Sequence, residues 1–143
     1  MVAPDLDRFV SDYHEALNEF FRGDSEPAKA LYSHSEDANP FGPVAIGWEK
    51  VEEAIDRAAS NYRDGCATGF ETLATYATQE LAYLVEVEHF EAKVGDQEGT
   101  TSGALRVTSV LRPEGGVWKV VHRHADPITA PHAAESVIQP KPA

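Results

Sequence analysis

Several things are scarce in this sequence, and each scarcity excludes a class of protein. The single cysteine, Cys66, can form no internal disulfide and cannot build a structural zinc site. Arg63 is the only cation near it, so a reactive thiolate is not expected. Lysine and arginine number 12 against 24 acidic residues, a formal net charge of −12. Such a surface repels phosphate backbones and anionic lipid, so neither nucleic acid nor a membrane surface is expected as a partner. No apolar run approaches the ~18–20 residues of a membrane span. The stretch from Met1 to Asp7 has neither a basic segment nor an apolar one of the kind a secretory signal needs, so a cytoplasmic location is expected. The chain also lacks HExxH, a Gly-x-Ser-x-Gly elbow, a phosphate-cradling glycine loop and a dinucleotide fingerprint. No cofactor and no metal is therefore expected.

What is present is an ordinary globular composition, 42% hydrophobic over 143 residues, enough for one domain and its core. Leu6, Phe9, Val10, Tyr13, Leu17, Phe20 and Phe21 form a stripe at helical spacing, and Gly23 supplies the stop. Asp24 or Ser25 caps a short second helix with Pro27 in its first turn. Residues 33–47 carry Pro40, Gly42 and Pro43 and read as loop with short strands. A third helix starts near Trp48, with Val51, Ala54, Ile55, Ala58, Ala59 and Tyr62 on one stripe, and Gly65 is expected to end it.

The period then changes to two. Strands are expected at Thr68–Gln79, Leu81–Val94, Thr100–Arg112 and Val117–Asp126, separated by Gly-rich turns at 95–99 and 113–116. Beyond Asp126, prolines at 127, 131, 140 and 142 predict a mostly disordered tail over 128–143. Helices first and an antiparallel meander second define an α+β domain over 1–127, with three N-terminal helices on one face of a strongly curved sheet. A curled meander closed by helices encloses a pocket for a small molecule.

Five strings give this order a family look: Ala38-Asn39-Pro40-Phe41-Gly42-Pro43, Gly47-Trp48, Leu81-Ala82-Tyr83-Leu84-Val85, Leu105-Arg106-Val107-Thr108 and Trp118 through Asp126. Over about residues 5–127 the chain resembles the SnoaL-like, ketosteroid-isomerase-like branch of the nuclear-transport-factor-two cone fold. The resemblance implies a cone-shaped α+β barrel with an internal pocket and a homodimer formed through the outer face of the sheet. The family spans isomerases, polyketide cyclases, dehydratases, epoxide hydrolases and non-catalytic oligomerisation domains, so fold alone does not select a function.

The resemblance also suggests site residues. In ketosteroid isomerases an acidic residue precedes Pro-x-Gly and moves the proton; here Asn39 stands there, and an amide is no base. Asp37 or Glu36 substitutes only if the loop register shifts. The alternative for Asn39 is a turn residue bonding its own backbone. A tyrosine on the first helix donates to the substrate oxygen in the isomerases, a role that falls on Tyr13; otherwise Tyr13 is a core phenol. Trp48 sits either at the pocket mouth or in the core.

Strand alternation places Tyr83, Val85 and Val87 on one face, taken as concave, with His89 at its far end and Glu86 and Glu88 opposite. Trp118, Val120, His122, His124 and Asp126 share one face of the last strand, and Lys119, Val121, Arg123 and Ala125 the other. Two assignments follow. The favoured one puts Arg106 and Arg123 in the pocket and His122 and His124 outside; the other reverses the last strand. An arginine matching Arg106 points into the cavity of the related kinase association domain, and a guanidinium there favours an anionic or carbonyl-bearing ligand. Its alternative is an ion pair with Glu86, Glu88 or Glu91. The His122-x-His124-x-Asp126 string reads as a hydrogen-bonded strand end rather than a metal site. His14 and His34 are expected to be solvated. The enzyme reading is a cofactor-free isomerase, dehydratase or cyclase, with His124, His89 or Asp37 as base. The alternative is a non-catalytic ligand-binding or assembly module.

Overall fold

The computed structural model describes residues 5–37, 46–129, 131 and 133–139. Its first helix, α1 (Leu6–Phe21), follows the predicted stripe and buries Phe9, Tyr13, Ala16, Leu17 and Phe21. The Asp5 carboxylate caps it by accepting from the Arg8 backbone N–H at 3.1 Å. At the other end Gly23, with φ +101°, forms a Schellman turn: its N–H donates to the Phe20 carbonyl and that of Asp24 to the Glu19 carbonyl, both at 3.0 Å. Helix α2 (Glu26–Lys29) follows directly, with Asp24 accepting from the Glu26 N–H at 3.1 Å.

Helix α3 (Trp48–Ala59) buries Val51, Ile55 and Ala59. It ends before Tyr62, which opens strand β1 (Tyr62–Ala77), so the expected stop at Gly65 is corrected. Gly65 lies inside β1 because a Cβ there would fall 2.5 Å from the Glu91 carbonyl and 2.6 Å from the Phe21 carbonyl. The chain continues through β2 (Ala82–Val94), β3 (Thr100–Glu114) and β4 (Val117–Pro127), and the four strands pair in sequence order, all antiparallel. Gly115 and Gly116, with φ +59° and +83°, make the two-residue turn of the last hairpin. Three register shifts bend β1 against β2, and bulges of this kind add to the curl of the sheet.

The result is an α+β cone, three helices over a strongly curved four-stranded antiparallel sheet. Residues 31–33 cover the free edge of β4: Ser33 N–H donates to the Val120 carbonyl at 2.8 Å, and Val120 N–H to the Leu31 carbonyl at 2.9 Å. Beyond the sheet, a 3₁₀ turn spans Ala134–Val137, every residue of it exposed.

Two features of the sheet overturn the expected faces. On β2 the buried set is Ala82, Leu84, Glu86, Glu88, Phe90 and Ala92, while Tyr83 is exposed and Val85, Val87 and His89 are half-buried. The concave face therefore carries the glutamates, and the Tyr83 row lies outside. On β4, Leu111 pairs with Val120 but Val110 pairs with His122, which leaves Val121 as an extra residue. Because a bulge resets the alternation, Trp118 and Val120 point inward before it and Arg123 points inward after it. Neither assignment of the last strand therefore holds along its whole length.

Candidate ligand cavity

Arg123 is the residue around which the interior is organised. It is 8% exposed, and its guanidinium meets Glu88, a fully buried carboxylate, through two parallel bonds of 2.8 Å: Nη1 to Oε2 and Nη2 to Oε1. Nη1 also donates to the Tyr13 hydroxyl, which bonds Ser109 Oγ at 3.1 Å. Burial works to lower the Arg123 pKa, but Glu88 outweighs it, and the guanidinium is held charged. Burial likewise pushes the Tyr13 phenol well above its ordinary range, so it stays protonated.

A second buried carboxylate, Glu86, stands two residues away on the same face of β2. His14 Nε2–H donates to it at 2.7 Å and Thr72 Oγ1 at 3.2 Å. The His14 ring lies flat on Phe70, with centroids 3.6 Å apart. Each interior charge is thus answered by a side chain from another element, as burial requires.

Against Arg123 lies a cavity of about 180 Å³. Leu17 and Phe20 of α1, Ala28 of α2, Tyr32, and Ile55 and Ala58 of α3 form its helical side; Tyr62, Leu105, Ala125 and Arg123 form the sheet side. Ala125 is exposed at the rim. Burial raises the pKa of both Tyr32 and Tyr62, so these phenols are neutral too. Two larger depressions, of about 700 and 490 Å³, flank the outside of α1 and are lined in part by its acidic residues Asp12, Glu15 and Glu19. They are surface troughs, whereas the cavity at Arg123 is walled largely by core residues.

Of the expected pocket residues, the structure brings Tyr13 and Arg123 together, with Arg123 on the cavity wall and Tyr13 behind it. Asn39 lies outside the described residues. Trp48, at the start of α3, stacks on His34 at 3.6 Å, so His34 is packed rather than solvated. Arg106 is exposed on the outer face, opposite Val87 and Asp126, and is corrected as a pocket residue along with Tyr83. His122 sits on the outer face as well, paired in register with Val110, and so is not a cavity contact.

The three expected bases also lie elsewhere. His124 is 61% exposed and 3.1 Å from Asp126. His89 bonds Glu71 at 3.0 Å on the outer side. Asp37 takes two bonds from Arg112, 2.7 and 2.8 Å, whose guanidinium holds its carboxyl well below the usual range, helped by Ser35. Such a carboxylate is a poor proton acceptor. Glu86, Glu88, Ser109 and His14 were missed as site residues. The available signal was two glutamates at i and i+2 inside a strand otherwise bounded by Leu84 and Phe90. Among the described residues no group of three or more His, Cys, Asp or Glu is placed to hold a metal ion, and no helix is long and apolar enough to cross a membrane.

Three helices over a strongly curved four-stranded antiparallel sheet make the cone of the nuclear-transport-factor-two-like, ketosteroid-isomerase-like superfamily. Within it, residues 7–130 match the SnoaL-like domain, and the chain belongs to that family. Solved structures agree on the fold. An NTF2-like superfamily protein from Salmonella enterica superposes with a TM-score of 0.69 at 17% identity, covering 90% of this chain and 92% of that one. A ketosteroid isomerase-like protein from Erwinia carotovora gives 0.67 at 18% identity, covering 87% and 94%. A candidate dehydratase of the NTF2-like family from Streptomyces avermitilis gives 0.65 at 18% identity, covering 87% and 95%. At these identities the likeness is one of fold. Comparison with curated proteins gave no match.

Proposed function

We propose that this protein binds a small organic molecule in the cavity beside Arg123, with no cofactor, and that the guanidinium and the Tyr32 phenol orient it. The observation that carries this reading is a charged, nine-tenths buried guanidinium on the wall of an otherwise apolar cavity. Apolar walls with a few fixed polar groups are the usual makeup of a ligand site. The described lining residues offer donors and apolar surface, whereas the expected bases His124, His89 and Asp37 face solvent. That distribution favours a binding module.

A catalytic version is favoured by one further contact. Glu88 is a carboxylate held directly behind Arg123. A carbonyl oxygen taking over one of the two Arg123 bonds would free one Glu88 oxygen, which could remove a proton from the adjacent carbon and return it to another while the second bond keeps the pair together. Arg123, backed by Tyr13, would hold the enolate oxygen meanwhile. This is isomerase, dehydratase or cyclase chemistry, in keeping with the candidate dehydratase among the structural relatives.

The second partner is another copy of this chain. Tyr76 and Tyr83 stack on the outer face of the sheet at 5.8 Å, both exposed, beside the half-buried Val85, Val87 and Val110. An apolar sheet face of this kind suits an isologous contact.

Native mass spectrometry of the unheated protein tests the reading. A dimer retaining a small organic molecule supports it. Deuterium exchange from D₂O into that molecule, lost in Glu88→Gln, marks catalysis; tight retention without exchange marks a binding module. A protein that retains nothing and binds nothing from a panel of small organic compounds would sink the cavity assignment.

A further inference from the structure

We infer that the cavity selects uncharged ligands of about one ring with a short polar substituent, an inference that rests on the small-molecule reading above. Size gives the first half. An apolar cavity of about 150 Å³ takes a benzene-sized molecule, and drug-sized ligands need about 300 Å³ or more. At about 180 Å³ this one holds a single ring and a few further atoms.

Charge gives the second half. The guanidinium on the wall would ordinarily invite an anion. Here both of its Nη atoms are joined to Glu88 at 2.8 Å, and both Glu88 oxygens are taken up in the pair. An arriving carboxylate would meet a cancelled charge and would lose its own hydration with little return. Glu86 close by is turned away from the cavity toward His14 and Thr72, and neither it nor they are among the described lining residues. A cation fares no better, because none of the described lining residues is a carboxylate and the guanidinium faces it first. No buried side-chain nitrogen or oxygen among the described residues is left without a hydrogen-bond partner, so the interior holds no orphan for a charged ligand to satisfy. What remains is apolar contact with Leu17, Phe20, Ile55 and Leu105, plus a hydrogen bond to a neutral oxygen.

Three probes of one shape separate the possibilities at pH 7: benzyl alcohol, benzoate and benzylamine, titrated by ligand-observed NMR. Benzyl alcohol is expected to bind at least about tenfold more tightly than either ion, since a charge entering without a counter-charge costs more than that factor. Ala58→Leu and, independently, Ala125→Leu fill the cavity from α3 and from β4, and each is expected to abolish benzyl alcohol binding; circular dichroism checks that the variants are folded. Benzoate or benzylamine binding as tightly as the alcohol, and lost in the filled variants, would overturn the charge selection while the cavity stood. No binding by any probe, or binding that survives both fillings, would overturn the cavity reading and this inference with it.

Discussion

The two faces of the sheet invert the usual arrangement. The concave face, packed under the helices, carries two glutamates and an arginine, all at least nine-tenths buried. The convex face carries Tyr76 and Tyr83 exposed, flanked by half-buried valines. Burial therefore tracks partners rather than hydropathy. Glu88 is inside because Arg123 reaches it from two strands away, and Glu86 because His14 and Thr72 do. Tyr83 has an aromatic neighbour but no helix above it. The inner charges belong to the binding site proposed above, and the outer apolar row to the proposed contact between copies.

The largest effect should come from breaking the inner pair. Glu88→Ala leaves a buried guanidinium without its counter-ion, which costs about 3–5 kcal/mol in comparable cases. Urea denaturation should show that loss. The double variant Glu88→Leu with Arg123→Met is expected to recover most of it, because an apolar pair of similar volume needs no desolvation. It should also lose ligand orientation in the cavity. A Glu88→Ala variant as stable as the parent would mean that the inner charges are not closed off from water as described.

The helical part of this molecule was readable because its causes are local. Leu6 through Phe21 repeat at helical spacing, Gly23 supplies the one positive φ the Schellman turn needs, and the strand boundaries fell within a few residues at β2, β3 and β4. The faces of the sheet were not readable, for two reasons. Alternation along β2 is the same whichever face is buried, so the apolar Tyr83, Val85 and Val87 row reads as the inner one. On β4 one extra residue, Val121, divides the apparent Trp118-to-Asp126 face in two, and nothing in that residue's chemistry announces a bulge. The site residues fared accordingly. Tyr13 is a candidate through the family resemblance and Arg123 through parity; the side chains that join them inside, Glu88 and Ser109, lie 75 and 96 residues from Tyr13, so no local pattern announces them.

Breaking the outer row should leave folding nearly untouched and change assembly instead. Tyr83→Lys removes an exposed ring, and exposed substitutions away from special features stay within about 0.5 kcal/mol. Sedimentation should show the wild-type chain as a pair and the variant as single chains. If the variant still pairs, the convex face is not the contact and its apolar row has another use. If it unfolds, Tyr83 contributes to the fold and the contrast between the two faces is weaker than the burial suggests.

The smallest effect sharpens the comparison by repeating the same chemistry in water. Arg112 and Asp37 pair through two bonds much as Arg123 and Glu88 do, but at the surface, on the segment that leaves α2. Arg112, with Ser35, depresses the Asp37 pKa below the value of about 3.9 that an unfolded chain gives. A carboxylate whose folded pKa is lowered adds stability above the unfolded value and loses it as the pH falls through the folded one. Asp37→Asn should therefore lower the melting temperature slightly at pH 7, and the two melting curves should converge as the pH drops below about 4. Solvent screens this pair, so the neutral-pH difference should also shrink in molar salt, whereas the cost of Glu88→Ala should persist there. A salt-independent Asp37 effect would show that the outer pair is shielded as the inner one is, and that the distinction drawn from burial fails at this end of the sheet.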